Sequence, residues 1–215
     1  VFEGLGFGSL NDKVAEIIYN TAIVGYQEMI SDPSYCNQMV CMSYPLIGNY
    51  GLTDEDYESK RINISGMIVR EYNDVPSNFR YTRTLGEVLE ENDVVGITGV
   101  DTREIIRVIR DNGSMKALIC DIDKPLDECI KTINEYQKPT NVVADVSSKK
   151  VWYSRTPNPK YNVVIIDCGI KLNIIKKLNQ AGCNVVVVPY NTPVEEILKY
   201  KKDPNLLKTL KELDE

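Results

Sequence analysis

The cysteine at position 168 is the residue whose type and setting most directly suggest catalysis. Cys168-Gly169 follows the apolar run 162–167, and hydrolases often place a nucleophile on a sharp turn after a strand. A cysteine nucleophile needs a neighbouring base, usually histidine, and the 215 residues contain no histidine. We therefore interpret Cys168 as a small packed side chain, and Gly169 as a residue needed for backbone shape.

A second candidate for chemistry is the pair Asp101 and Arg103, which could be a catalytic acid with an arginine clamp. Asp101 precedes a predicted helix whose first turn holds Glu104, and this arrangement favours a helix cap. Arg103, Arg107 and Arg110 recur at helical spacing, which is typical of a solvated face or of a contact with a partner. We predict no catalytic residue in this segment.

Composition and charge argue against some classes of partner and indicate a cellular compartment. With 43% hydrophobic and 26% charged residues, the chain has the mixture of a globular protein with a buried core. A net charge of -6 gives no overall attraction to nucleic acid, and apolar runs such as 163–166 fall far short of the ~20 residues of a membrane span. Six irregularly spaced cysteines indicate neither a disulfide framework nor a metal site, so we expect a cytoplasmic protein.

Residues 1–153 alternate short apolar runs with amphipathic stretches. The predicted strands are 14–19, 39–42, 62–69, 94–97 and 116–122, and the predicted helices are 25–31, 84–92, 102–111 and 126–136. Thr84 with Glu87 three residues later predicts a capping box, and Gly113 is placed to end the third helix. This pattern predicts a mixed β/β/α domain.

A different pattern follows the proline-containing stretch 154–161, which we predict to be a linker. Apolar strands at 162–167 and 184–189 flank a helix at 171–180, which predicts a βαβ unit of a parallel sheet. Further helices are expected at 195–199 and 206–213. Because few residues remain to cover both faces of such a sheet, we expect the second domain, 162–215, to continue beyond Glu215. Val1 has the sequence setting of a strand interior, so we also expect residues before it. The predicted fold class is α/β, with a mixed first domain and a truncated parallel-sheet second domain.

Eight short motifs carry a resemblance to a known family. In chain order they are Asn20-Thr21, Gly25-Tyr-Gln-Glu28, Asp32-Pro-Ser-Tyr35, Tyr44-Pro-Leu-Ile-Gly-Asn-Tyr-Gly51, Arg70-Glu71, Pro76-Ser-Asn-Phe79, Gly99-Val-Asp-Thr-Arg103 and Asp167-Cys-Gly-Ile-Lys-Leu-Asn-Ile174. They span nearly the whole chain, and together they make it resemble carbamoyl-phosphate synthetase small subunits. The resemblance covers the N-terminal domain and the start of a class I glutamine amidotransferase domain.

The resemblance implies a heterodimer in which the small subunit hydrolyses glutamine and passes ammonia to a large synthetase subunit. The large subunit uses bicarbonate and ATP, with Mg²⁺, to make carbamoyl phosphate for arginine and pyrimidine synthesis. This family's second domain is flavodoxin-like and uses a Cys-His-Glu set that the 215 residues do not contain, so no catalytic residue, cofactor or metal is expected in this chain. The alternative is a non-catalytic interaction module that docks on the synthetase subunit.

Two residues match family positions at the glutamine site. The resemblance implies that the Ser34 hydroxyl contacts bound glutamine, although a serine after Asp-Pro can equally cap a helix or close a turn. Lys171 matches a lysine near the same substrate, and the alternative is a solvated lysine at a helix start. A nucleotide-binding role is not favoured, because 167–171 lacks the GxGxxG spacing that lets a backbone approach a pyrophosphate.

Overall fold

A computed structural model gives the fold and describes residues 1–202. Packing divides the chain into two compact units, one spanning Val1–Thr140 and one beginning at Asn141. The packing boundary precedes the linker predicted at 154–161, because residues 152–154 form a strand of the second unit's sheet. Within the described range, no helix has both the length and the apolar character needed to cross a membrane.

The first unit is built on a six-stranded sheet and a two-stranded sheet. Its strands are β1 (Leu5–Gly8), β2 (Lys13–Asn20), β3 (Gln38–Met42), β4 (Leu46–Ile47), β5 (Gly66–Ile68), β6 (Glu71–Tyr72), β7 (Val95–Thr98) and β8 (Met115–Ile119). The large sheet has the order β1-β7-β5-β3-β2-β8, and β4 pairs with β6. Its three inner pairings are parallel and its two edge pairings are antiparallel, so the sheet is mixed.

Four helices accompany this sheet, and local sequence signals set the ends of two of them. They are α1 (Tyr26–Ser31), α2 (Leu85–Glu91), α3 (Thr102–Asn112) and α4 (Leu126–Glu135). The capping box predicted at Thr84 and Glu87 is confirmed, since each side chain accepts a hydrogen bond from the other residue's backbone N–H. Asp101 caps α3 through the N–H of Glu104, as predicted, and Gly113 ends that helix at φ 81°.

The core of the first unit lies on both faces of the large sheet. Alternate residues of β3 point to opposite faces, so Val40 packs with α1 and α2 whereas Met39 packs with α3. Both side chains are fully buried. Strands buried on two faces are typical of parallel sheets covered by helices, which explains why 39–42 is apolar throughout.

The second unit contains the predicted βαβ arrangement. Its elements are α5 (Val142–Val146), β9 (Trp152–Ser154), β10 (Tyr161–Asp167), α6 (Leu172–Gln180), β11 (Cys183–Pro189) and α7 (Val194–Ile197), followed by a 3₁₀ helix over Leu198–Lys202. The strands β10 and β11 pair in parallel from Tyr161 opposite Cys183 to Asp167 opposite Pro189. Strand β9 pairs antiparallel with β11 and gives the sheet order β10-β11-β9.

Some sequence predictions were wrong in detail. The strand predicted over 62–69 is confined to 66–68, because the N–H of Asn63 donates to the carbonyl of Ile30 and holds this stretch against α1. Val1 lies ahead of β1 rather than inside a strand. The strands β1, β4, β6 and β9 and the helix α5 were not predicted. The helix predicted at 206–213 lies outside the described residues.

Candidate functional site

Ser34 lies in the middle of a short 3₁₀ helix, Pro33–Tyr35, directly after α1. The carboxylate of Asp32 caps this turn by accepting a hydrogen bond of 2.9 Å from the backbone N–H of Ser34. The Ser34 hydroxyl therefore does not cap this helix, since Asp32 performs that task, although Ser34 does lie within a turn, as the other alternative expected. Ser34 is exposed, and its hydroxyl makes no hydrogen bond with any described residue. The hydroxyl can therefore both donate to and accept from a ligand.

The segment that carries Ser34 is held from behind by a buried polar network centred on Ser31. The Ser31 hydroxyl donates to the carbonyl of Gln27 at 2.9 Å and accepts from the N–H of Glu58 at 2.9 Å. Its carbonyl accepts from the side chains of Ser59 and Asn63, each at 2.7 Å. Because Ser31 is fully buried, these bonds fix the end of α1 and thereby the start of the Ser34 turn.

The side-chain amide of Gln27, in α1, makes a pair of hydrogen bonds with the backbone of Thr53, as a paired strand would. Its side-chain oxygen accepts from the N–H of Thr53 at 2.9 Å, and its side-chain nitrogen donates to the carbonyl of the same residue. Both residues are buried, with Gln27 2% exposed. This amide therefore satisfies two buried backbone groups at once.

Two stacked tyrosines fix the other end of α1. The rings of Tyr26 and Tyr50 lie 4.1 Å apart at an angle of 21°. The Tyr50 hydroxyl accepts from the N–H groups of Gly25 and Tyr26, and the Tyr26 hydroxyl donates to the carbonyl of Gly51 at 3.0 Å. Burial raises the pKa of both phenols, so they remain neutral and keep these bonds over the physiological range.

Lys171 occupies the residue just before α6, and a buried carboxylate shapes the loop that leads to it. One oxygen of Asp167 accepts from the N–H groups of Gly169 and Ile170, each at 2.9 Å, and the other accepts from the N–H of Ser148 at 2.9 Å. Asp167 is 4% exposed, and Gly169 has a φ of 102°, which favours glycine. The predicted importance of Gly169 for backbone shape is confirmed.

The segment at 147–148 connects the carboxyl ends of both parallel strands. Besides the bond from Ser148 to Asp167 at the end of β10, the Ser147 hydroxyl accepts from the N–H of Tyr190 at 3.0 Å, just beyond β11. Carboxyl ends of parallel strands are where α/β sheets usually bind ligands. The loop before Lys171 therefore has a fixed conformation at this edge.

The structure also corrects and limits other candidates. Cys168 is exposed, so the interpretation as a packed side chain was wrong, because the loop held by Asp167 turns this residue outward. In the part of the chain that the structure describes, no three carboxylate or thiol side chains come together in a way that could hold a metal ion.

The sequence reasoning missed Gln27 and Asp167 as supports of the two predicted contacts. Both lie inside motifs that carried the family resemblance, yet neither was given a role. For Asp167 a local signal existed, since an aspartate two residues before a glycine often accepts from backbone N–H groups of a turn. For Gln27 the partner is 26 residues away, so no local signal could indicate it. Ser34 and Lys171 belong to different packing units.

The family profile described as "Carbamoyl-phosphate synthase small chain, CPSase domain" matches residues 1–119. The chain is 42% identical over 207 residues to the carbamoyl phosphate synthase pyrimidine-specific small chain of Bacillus subtilis, and the alignment covers 96% of this chain and 56% of that protein. It is 42% identical to the carbamoyl phosphate synthase small chain of Fusobacterium nucleatum, covering 96% of this chain and 57% of the relative. It is 44% identical to that of Staphylococcus saprophyticus, covering 96% and 56%.

The chain thus spans little more than half the length of the curated relatives it matches. The family profile nevertheless covers more than half of the chain, and the alignments extend through nearly all of it. The resemblance inferred from the eight motifs is confirmed: the chain belongs to the carbamoyl-phosphate synthase small chain family.

Proposed function

We propose that this chain works as part of the small subunit of a glutamine-hydrolysing carbamoyl-phosphate synthase. In this role the small subunit supplies ammonia from glutamine to a large subunit, for arginine and pyrimidine biosynthesis. Family membership supports the subunit role, and the βαβ unit of the second packing unit agrees with the start of a flavodoxin-like amidotransferase domain. ATP and Mg²⁺ belong, in this proposal, to the large subunit, and this chain carries no cofactor.

Within the proposal, Ser34 and Lys171 contact glutamine. The observation that carries the assignment of Ser34 is its exposed hydroxyl, which the Asp32 cap leaves available for a ligand. The ammonium group of Lys171 suits the carboxylate of an amino acid, and the loop before it is held by Asp167. Rigid support behind both residues reduces the ordering cost that substrate binding must overcome.

The Ser34 assignment is tested by Ser34→Ala in the full-length protein assembled with its large subunit. We expect the KM for glutamine to rise about 10-fold, the equivalent of one lost hydrogen bond of ~1.4 kcal/mol. Synthesis with ammonium ions in place of glutamine is expected to be unchanged, as is the free energy of unfolding, because the hydroxyl has no bond within the described chain.

Ser77→Ala is the matched control, since this exposed serine of the same unit bonds only the carbonyl of Asn49. Lys171→Met, in the same assay, is expected to raise the KM in the same direction. An unchanged KM for glutamine in Ser34→Ala would count against the proposed contact, and equal losses with glutamine and ammonium would indicate a structural defect.

A second prediction separates the enzymatic role from that of a docking module. The isolated 215-residue chain is expected to release no ammonia from glutamine, because it has no imidazole to activate a thiol. It is expected to bind the purified large subunit, which sedimentation analysis of the mixture would detect. Appreciable glutaminase turnover would contradict the first expectation. Binding without any effect of Ser34→Ala on the full-length enzyme would favour the docking module.

A further inference from the structure

Two of the six cysteines are brought into contact by the fold. Cys120 directly follows β8, and Cys129 lies in α4. Their sulfur atoms are 3.6 Å apart, which is van der Waals contact, and both residues are half-buried and reduced. The sequence gives no sign of this pairing, because the spacing of nine residues matches neither a metal motif nor a redox motif.

The hydrogen-bond pattern orients the two thiols relative to each other. The sulfur of Cys129 lies 3.8 Å from the carbonyl oxygen of Lys124, which can only accept. Both contacts are satisfied when Cys129 donates to this carbonyl and Cys120 donates to Cys129. Burial, and next the bond to Cys129, raise the pKa of Cys120 to about 11, so this thiol keeps its proton at neutral pH.

Separate polar contacts hold the turn between the two cysteines and the far end of α4. Lys124, in the turn between the two cysteines, forms an ion pair of 2.7 Å with Asp12. At the far end of α4 the ammonium of Lys116 donates to the carbonyls of Ile133 and Tyr136, at 3.3 and 2.6 Å. Since α4 has no fully buried residue, these polar contacts are important in keeping it beside β8.

We propose that Cys120 and Cys129 form a modification site, at which a disulfide of a low-molecular-mass thiol converts the dithiol to an intramolecular disulfide. The sulfur of Cys129 displaces one thiol from the reagent, because the thiol of Cys120 keeps its proton, and Cys120 then displaces the other thiol from the adjacent mixed disulfide. Two electrons pass to the reagent, and the two protein S–H protons leave with the two thiols released. The sulfur atoms must approach by about 1.5 Å to reach bonding distance, a movement within reach of side-chain rotation.

The test uses the purified protein and glutathione disulfide as the probe, followed by acid quenching, trypsin digestion and mass spectrometry without reduction. Trypsin leaves the bond between Lys124 and Pro125 intact, so both cysteines stay in the peptide 117–131. We expect this peptide to become lighter by two hydrogen atoms, with less than about one tenth of it carrying glutathione. The exposed Cys168, in the separate peptide 161–171, is the internal control and should carry glutathione.

Single variants show whether the second step depends on the pair. Cys120→Ser should stop at the mixed disulfide on Cys129. Cys129→Ser should stay largely reduced at Cys120, because a thiol that keeps its proton attacks slowly. Cys168→Ser should leave closure of the pair unchanged. The proposal is overturned if the 117–131 peptide stays reduced or holds glutathione while Cys168 reacts. It is equally overturned if either cysteine joins a different cysteine or a second chain.

Discussion

Replacing Asp167 by alanine is expected to lower the free energy of unfolding of the second unit by roughly 3–5 kcal/mol. The buried carboxylate accepts three backbone N–H groups, two from the loop before Lys171 and one from Ser148. Hydrogen bonds to a charged group are worth more than neutral ones, and alanine leaves all three donors without their acceptor. The change should therefore loosen the loop at the carboxyl end of β10.

The single tryptophan of the chain makes this expectation measurable. Trp152 packs on the apolar cluster of the second unit, so its fluorescence during guanidinium unfolding reports on that unit. Asp167→Asn should lose less than alanine, because its oxygen can still serve Gly169 and Ile170 while its amide N–H faces Ser148. Glu195→Gln, at an exposed position, is the matched control for the lost charge. A loss below about 1 kcal/mol in Asp167→Ala would contradict a role for this carboxylate in holding the loop.

Replacing Gln27 by leucine is expected to destabilise the first unit by roughly 3–4 kcal/mol. Leucine fills much of the same space, but the buried N–H and carbonyl of Thr53 both lose their partner. An unsatisfied buried polar group costs about 1–3 kcal/mol, and two are created at once. In the assembled enzyme the same change should also raise the KM for glutamine, if Ser34 makes the proposed contact.

Near-ultraviolet circular dichroism of tyrosine is the suitable measurement for this variant, because the stacked pair Tyr26 and Tyr50 adjoins Gln27. Thr53→Val is the matched control. It removes the hydroxyl bond of 2.8 Å to Asp56 but keeps both backbone bonds to Gln27, so a loss of about 1 kcal/mol is expected. Equal losses in the two variants would show that the two hydrogen bonds of the Gln27 amide stabilise the unit no more than the single bond from the Thr53 hydroxyl to Asp56.

Local sequence predicted the parts of the fold that depend on contacts between residues close together in the chain. Thr84 with Glu87, Asp101, and Gly113 set helix ends through contacts within a few residues, and the structure confirms each. The βαβ unit was predictable because two strands with apolar interiors, 163–166 and 185–188, flank a helix. The strand β1 escaped prediction because its glycine-rich sequence has little strand propensity. Residues 62–65 were wrongly predicted to be strand, because a long-range backbone hydrogen bond from Asn63 to Ile30 holds this stretch against α1.

The candidate site was predictable to a lesser degree. The positions of Ser34 and Lys171 came from the family resemblance, since nothing in their local sequence distinguishes a ligand contact from a surface residue. Asp32 lies in one of the eight motifs, but only the structure assigns it the cap that leaves Ser34 available. The contact between Cys120 and Cys129 depends on α4 packing beside β8, which sequence spacing does not determine.

The position of β10 at the side of its sheet has a practical consequence for preparing this chain. Among residues 1–202, β11 is the strand that pairs with β10, and no described strand covers the other side of β10; a strand edge of this kind can pair with another molecule. The strand carries no lysine or proline of the kind that discourages aggregation, and Ile166 on it is 51% exposed. Concentrated samples therefore risk association through this strand edge. Ile166→Lys is the substitution that we expect to reduce it.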